Sequence, residues 1–128
     1  MQEQRAWALL LIRIASIFGL VGVVLGSKMS GDMDYSITPI HAHSLLVGWL
    51  SVFAWGIFYY LVPMSRMILV KVHAVLGIIG AIGLTVGMYF YMFHNSGFTT
   101  FTFIVGGSIL LLAYLMFVVN TFFVKKNE

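Results

Sequence analysis

The chain has 128 residues, 61% of them hydrophobic and only 9% charged, and its mean hydropathy is +1.02. This composition lies far outside that of soluble domains, so it predicts a membrane protein and excludes the water-soluble enzyme classes. The sequence contains no cysteine, which excludes disulfides, iron–sulfur clusters and covalently attached haem. Any redox group must therefore be held by His, Met or carboxylate side chains.

Charged residues divide the chain into apolar segments, which we interpret as membrane spans at about 20 residues per crossing. Arg13 is the one charge inside the first segment. Residues 72–124 carry no charge but are too long for one crossing, and the turn-forming run at 94–97 divides them. The predicted spans are about 6–26, 38–62, 72–93 and 99–124. We therefore expect an all-α, polytopic membrane protein whose residues 1–128 form a single four-helix transmembrane domain.

The distribution of Lys and Arg predicts the orientation of these spans. Lys28 lies in the first loop, whereas the other cations lie at the N-terminal end, in the second loop or at the C-terminal end. These are Arg5, Arg13, Arg66, Lys71, Lys125 and Lys126. Both termini are therefore expected to be cytoplasmic. The formal net charge of +3 then reflects topology, and no basic stripe points to a nucleic-acid partner.

Two histidines open the second span. Thr38 is the expected N-cap and Pro39 the first helical residue, which puts His41 and His43 at the outer membrane surface. Residues two apart on an α-helix point about 200° away from each other, so this pair cannot hold one ion from one face. We expect two separate sites; the alternative is a pair of interfacial histidines bonded to loop carbonyls.

The helix faces below the two histidines differ. An apolar face lies below His43, and a face with a small residue, Gly48, lies below His41. The first face carries Val47, Leu50 and Ala54, and the second also carries Ser44. A glycine lets a flat macrocycle approach the backbone, so both faces favour a porphyrin over a hydrated cation.

The other polar residues of the spans have structural and functional interpretations. His73 and His94 lie at opposite ends of the third span, roughly 30 Å apart, so they cannot share a metal. We expect His73 to be interfacial, and the role of His94 stays open, with a third outer ligand and a hydrogen-bond partner to a haem propionate as the candidates. Arg13 is expected to snorkel to the headgroups, with an anion or quinone contact as the functional alternative. Asn120 is predicted to form a helix–helix hydrogen bond.

Small residues recur along the first and third spans and predict close helix packing. They are Ala15, Gly19, Gly22 and Gly26 in the first span and Gly77, Gly80, Gly83 and Gly87 in the third. Most of the Trp and Tyr side chains, including Tyr59, are expected at the membrane interface or facing lipid.

The segment from His41 to Pro63, HAHSLLVGWLSVFAWGIFYYLVP, resembles the ligand-bearing helix of the haem-copper oxidase superfamily, which includes cytochrome c oxidase subunit I and the nitric oxide reductase large subunit. In that superfamily a His-x-His, a Gly some five residues later and an aromatic-rich helix ending in Pro bind two haems on opposite sides. The matching residues here are His41, His43, Gly48 and Pro63. The resemblance implies that His41 and His43 are axial ligands of haem iron and that Gly48 contacts the cofactor.

A complete catalytic subunit of that superfamily has twelve spans in three pseudo-repeated groups of four, and this chain corresponds to one group. Three copies would reproduce the arrangement, so we expect a homotrimer rather than a dimer, with each haem b held by His41 of one protomer and His43 of the next. Both axial positions are then filled, which implies electron transfer with quinol or a redox protein as partner. The expected location is the bilayer of a bacterial or archaeal plasma membrane.

Several alternatives stay open. No segment resembles the copper or non-haem iron ligands of the complete enzymes, so no copper site is predicted; if the chain is an enzyme, it is an oxidoreductase. A haem with one protein ligand would suit a gas sensor or a small reductase. A four-helix dihaem cytochrome would need His73 paired across a dimer, and a copper or zinc site would use His41, His43 and His94. The last alternative is a non-redox assembly or transport subunit, which would be colourless.

Overall fold

The structure, a computed structural model, describes residues 1–125, which form four long helices. They are α1 (Gln2–Asp32), α2 (Thr38–Leu61), α3 (Met67–Phe93) and α4 (Gly97–Thr121). Each helix is long and apolar enough to cross a membrane, which confirms the prediction of an all-helical chain with four candidate spans. The orientation of the termini stays a prediction, and Lys126, one of the residues on which it depends, lies outside the described residues.

Two helices, α1 and α3, extend beyond the predicted apolar segments, whereas α4 ends at Thr121, before its predicted segment does. The longest, α1, has 31 residues and a length of about 46 Å, whereas the hydrocarbon core of a bilayer is about 30 Å thick. At the C-terminal end of α1, Lys28 pairs with Asp32 one helical turn later, so the helix continues through polar sequence. In α1, loss of apolar character therefore indicates where hydrocarbon would end, and the helix itself ends later.

The start of α2 differs from the prediction. Ile37 is the N-cap residue, and Thr38 is already helical, so the prediction of Thr38 as N-cap was wrong. The Thr38 hydroxyl instead donates to the carbonyl of Tyr35 at 2.6 Å, which closes the preceding turn. Pro39 is the second helical residue and not the first as predicted, but it still lies in the first turn, where its missing N–H has no helical partner to lose.

The four helices pack as two hairpins, α1 with α2 and α3 with α4, and contacts between the hairpins are much sparser than contacts within them. Glycines allow the close approach in each hairpin, which confirms the predicted role of both small-residue stripes. In the first hairpin a Cβ at Gly22 would lie 2.4 Å from the side chain of Leu45. In the second, a Cβ at Gly106 would lie 2.3 Å from the backbone of Gly83.

A π-helical segment, Ser44–Ser51, interrupts α2 directly after the two histidines. Within this segment the Ser51 hydroxyl donates to the carbonyl of Leu46 at 2.9 Å. The Tyr114 hydroxyl of α4 donates to the Ser51 hydroxyl oxygen at 2.6 Å. Such segments shift the rotational register of everything that follows. The faces predicted below His41 and His43 from ideal α-helical geometry therefore do not continue unchanged past residue 43.

Candidate functional site

His41 lies against α1. Its Nδ1 is 2.8 Å from the carbonyl oxygen of Gly22, and the half-buried ring lies over Gly26, where a Cβ would be 2.9 Å from ring atom Cε1. A carbonyl oxygen can only accept, so Nδ1 carries the proton and the neutral ring keeps its lone pair on Nε2. The small residues near the C-terminal end of α1 thus make room for this imidazole.

His43 is held in the same tautomer by its own helix. Its Nδ1 is 2.8 Å from the carbonyl oxygen of Pro39, four residues earlier, so this nitrogen must also be the donor. Among residues 1–125, neither Nε2 of the pair has a hydrogen-bond partner. Metal-bound histidines characteristically donate their second ring N–H to a carbonyl or carboxylate, which fixes the ring and leaves the other nitrogen for the metal.

The two rings do not converge on one site. Residues Thr38–His43 are α-helical, so the two side chains leave α2 about 200° apart, and His41 bonds across to α1 while His43 bonds within α2. The described part of the chain contains no group of three His, Cys, Asp or Glu side chains that could hold a metal ion. A copper or zinc site formed by His41, His43 and His94 is therefore not assembled within one chain.

The surroundings of Gly48 bear on its expected contact with a cofactor. Gly48 is buried, and a Cβ there would lie 2.2 Å from two ring carbons of Phe18 in α1. The space that a planar macrocycle would need beside this glycine is filled by the Phe18 ring. Within a single chain, Gly48 therefore serves the packing of α1 on α2.

The face near His43 is more open. Leu50 is 56% exposed, Ala54 is exposed, and Val47 is half-buried. Leu50 and Ala54 thus give the single chain an apolar surface within and just after the π-helical segment. Because the two rings leave α2 in different directions, a six-coordinate iron bound to one of them would need its second ligand from another copy.

A polar cluster that the sequence did not predict lies between the hairpins toward the opposite end of α2. The Tyr59 hydroxyl is 2.8 Å from Nδ1 of His73, and Nδ2 of Asn120 donates to the same hydroxyl at 2.6 Å and to the carbonyl of Leu69 at 3.2 Å. Tyr59, His73 and Asn120 are fully buried. The prediction of a lipid-facing Tyr59 was wrong, because protein covers its side chain, and the helix–helix hydrogen bond predicted for Asn120 is confirmed. The interfacial level of His73 in the membrane stays a prediction.

The hydrogen bonds of this cluster determine which atoms carry its protons. Because Asn120 donates to the Tyr59 oxygen, the hydroxyl proton of Tyr59 is free to go to Nδ1 of His73, which then carries its own proton on Nε2. That nitrogen is buried and has no hydrogen-bond partner within residues 1–125. The His73 ring packs against Trp55 and Phe117, with ring-centroid distances of 4.7 and 5.4 Å. The cluster joins α2, α3 and α4 by side-chain bonds.

Gln4 attaches α1 to the same end of the bundle. Its Nε2 donates to the carbonyls of Tyr59 and Val62 at 2.6 and 2.7 Å, and its Oε1 accepts from the backbone N–H of Met64 at 3.1 Å. The side chain thereby satisfies backbone groups where α2 ends. The sequence could not have identified Gln4, because Gln2 is the same residue type in the same polar segment before the first span.

The remaining candidates lie on the surface. Arg13 is exposed on α1 and forms no ion pair with a carboxylate of residues 1–125. His94 is exposed at the end of α3, where its ring lies edge-on to Phe90 at 6.3 Å. Neither residue is brought into a shared site with His41 and His43.

Comparisons with protein-family models, curated proteins and solved structures find no match for this chain. The resemblance to the haem-copper oxidase superfamily therefore depends on the motif from His41 to Pro63 alone.

Proposed function

We propose that the chain is a membrane haem b protein in which His41 and His43 bind haem iron and that it transfers electrons. The observation that carries the proposal is the matched tautomer of the two rings. Each Nδ1 is bonded to a backbone carbonyl, at Gly22 and at Pro39, so that each Nε2 is free for a metal. The alternative, an interfacial pair bonded to carbonyls, has the same hydrogen bonds but binds no haem, so the spectrum described below distinguishes the two.

The opposite directions of the two rings favour a cyclic assembly over a two-fold dimer. A two-fold interface brings the same surface patch of both chains together, and residues on opposite faces of α2 cannot both lie in it. In a ring, His41 of each protomer faces His43 of its neighbour, and every interface is the same. The resemblance to a subunit with three groups of four spans favours a homotrimer, with one haem b for each protomer.

Haem held by two histidines supplies one-electron transfer and has no open coordination position for a gas. The residues of this chain would orient it: Gly22 and Pro39 fix the imidazoles, and the apolar surface along Leu50 and Ala54 excludes water from one side. The proposed partner is quinol or a redox protein at the end of the bundle that carries the histidines, in the plasma membrane of a bacterium or archaeon.

The test is the absorption spectrum of the purified chain, reduced and oxidised, with and without carbon monoxide. Wild type should show sharp α and β bands that carbon monoxide does not shift. His41→Ala and His43→Ala should each lose the haem from every interface, because each iron uses one of each residue. His94→Ala is the matched control, since it removes an exposed histidine near the same end of the bundle, and it should retain full haem.

Full haem in either the His41 or the His43 variant would contradict the shared-ligand arrangement. A shift with carbon monoxide would instead indicate a haem with one protein ligand, as in a gas sensor or a small reductase. A colourless protein after expression with excess haem would refute haem binding. Circular dichroism on each variant separates loss of the ligand from loss of the helices.

A further inference from the structure

A small hollow at the start of α1 has features that the proposed haem function does not use. It has a volume of about 240 Å³ and lies between the first turn of α1 and the end of α2. Its lining residues are Met1, Gln4, Arg5, Tyr60, Leu61 and Pro63. The hollow thus has a cationic side chain, Arg5, on one wall. Two of its other lining residues, Leu61 (71% exposed) and Tyr60 (41% exposed), lie on the apolar surface of the bundle.

Among residues 1–125, no carboxylate pairs with Arg5. Glu3, the nearby acidic residue on the same helix, pairs with Lys71 of α3 at 2.5 Å. Among the described residues, Arg5 has neither a carboxylate partner nor a side-chain hydrogen bond. Its guanidinium lies over the ring of Tyr60, 5.6 Å from the centroid, which positions the group by a cation–π contact and leaves its N–H donors free.

The walls of the hollow are held in place. Gln4 bonds to three backbone groups around the end of α2, and the backbone N–H of Lys125 donates to the carbonyl of Pro63 at 2.8 Å. Met64, the next residue, forms an antiparallel bridge with Val124. A guanidinium fixed over an aromatic ring beside a rigid wall is pre-organised for a planar, two-point contact with an anion.

We propose that this hollow, defined by Gln4, Arg5, Tyr60 and Pro63, binds the phosphate of an anionic phospholipid. Arg5 supplies the N–H donors, and phosphate oxygens accept two of them. A lipid is favoured over a soluble anion because the hollow lies at the end of two apolar helices and its rim, Leu61, is exposed where an acyl chain would run along α2.

The chain offers a matched control for Arg5. The guanidinium of Arg66 also lies over an aromatic ring, 5.0 Å from the centroid of Phe123, near the same end of the bundle. It does not line the hollow. Arg66→Gln therefore removes the same charge and the same kind of contact as Arg5→Gln, and general attraction to anionic lipid would be weakened equally by both.

The experiment uses the full chain in detergent micelles and counts retained dioctanoyl phosphatidylglycerol by native mass spectrometry, with dioctanoyl phosphatidylcholine as the neutral comparison. Wild type and Arg66→Gln should both prefer the anionic lipid, and Arg5→Gln should lose about tenfold in affinity for it. Arg5→Lys should recover part of the loss, because an ammonium keeps the charge without the two-point geometry. Tyr60→Leu should weaken binding while the charge is retained.

Three results would overturn the proposal. The first is equal retention of the two lipids by wild type, and the second is an equal loss in Arg5→Gln and Arg66→Gln. The third is full displacement of the lipid by inorganic phosphate at the same concentration, which would assign the hollow to a soluble anion. Melting temperatures confirm that each variant is folded. The measurement does not depend on haem, so its outcome is separate from that of the absorption spectra.

Discussion

Replacement of Gly106 by alanine tests the packing of the second hairpin. A Cβ there would lie 2.3 Å from the carbonyl carbon of Gly83, 2.5 Å from the nitrogen of Leu84 and 2.7 Å from the carbonyl oxygen of Gly83. These are backbone atoms that cannot rotate away. Ordinary contact begins near 3.4 Å, so α3 and α4 must separate by about 1 Å at this level. A gap of that size removes a quarter to a half of each nearby dispersion contact, for a cost of about 3 kcal/mol.

The neighbouring Gly107 provides the control. Its Cβ would meet the side chain of Leu84 at 3.5 Å, an ordinary contact, so Gly107→Ala keeps the packing. Both substitutions receive the same gain in helix propensity, about 1 kcal/mol, which cancels in the comparison. We expect Gly106→Ala to unfold more easily than Gly107→Ala by about 3 kcal/mol in a mixed-micelle denaturant titration. Equal stability of the two variants would refute the close approach of α3 and α4.

Two further predictions concern polar contacts, one between the hairpins at Tyr59 and one within the first hairpin at Gln4. Tyr59→Phe removes the hydroxyl that both neighbouring side chains use and should lower the free energy of unfolding by about 1–2 kcal/mol, whereas Tyr60→Phe, at an exposed position, should change it little. Gln4→Leu leaves three backbone groups without their partner and should cost about 2–3 kcal/mol, against almost no effect of Gln2→Leu at the exposed start of the helix. The same titration measures both pairs, and variants as stable as their controls would contradict the hydrogen-bond assignments.

Part of the candidate site could be read from local patterns. The spacing of His41 and His43 predicts rings that diverge, because two residues on an α-helix have a fixed angle between them. The prediction for the faces below them was less successful, since the π-helical segment Ser44–Ser51 alters the register and no composition signal marks it. Gly48 contacts Phe18 in the chain, and that contact depends on how α1 crosses α2.

The sequence by itself determined the four apolar helices, the division between them and the small-residue stripes, because hydropathy and side-chain size act locally along the chain. The tertiary structure decided which nitrogen of His41 is free, since its partner is a carbonyl nineteen residues away on another helix. It also decided that Tyr59, His73 and Asn120 meet. These residues come from three helices and lie at the same level along the bundle. They contact each other only when the two hairpins dock.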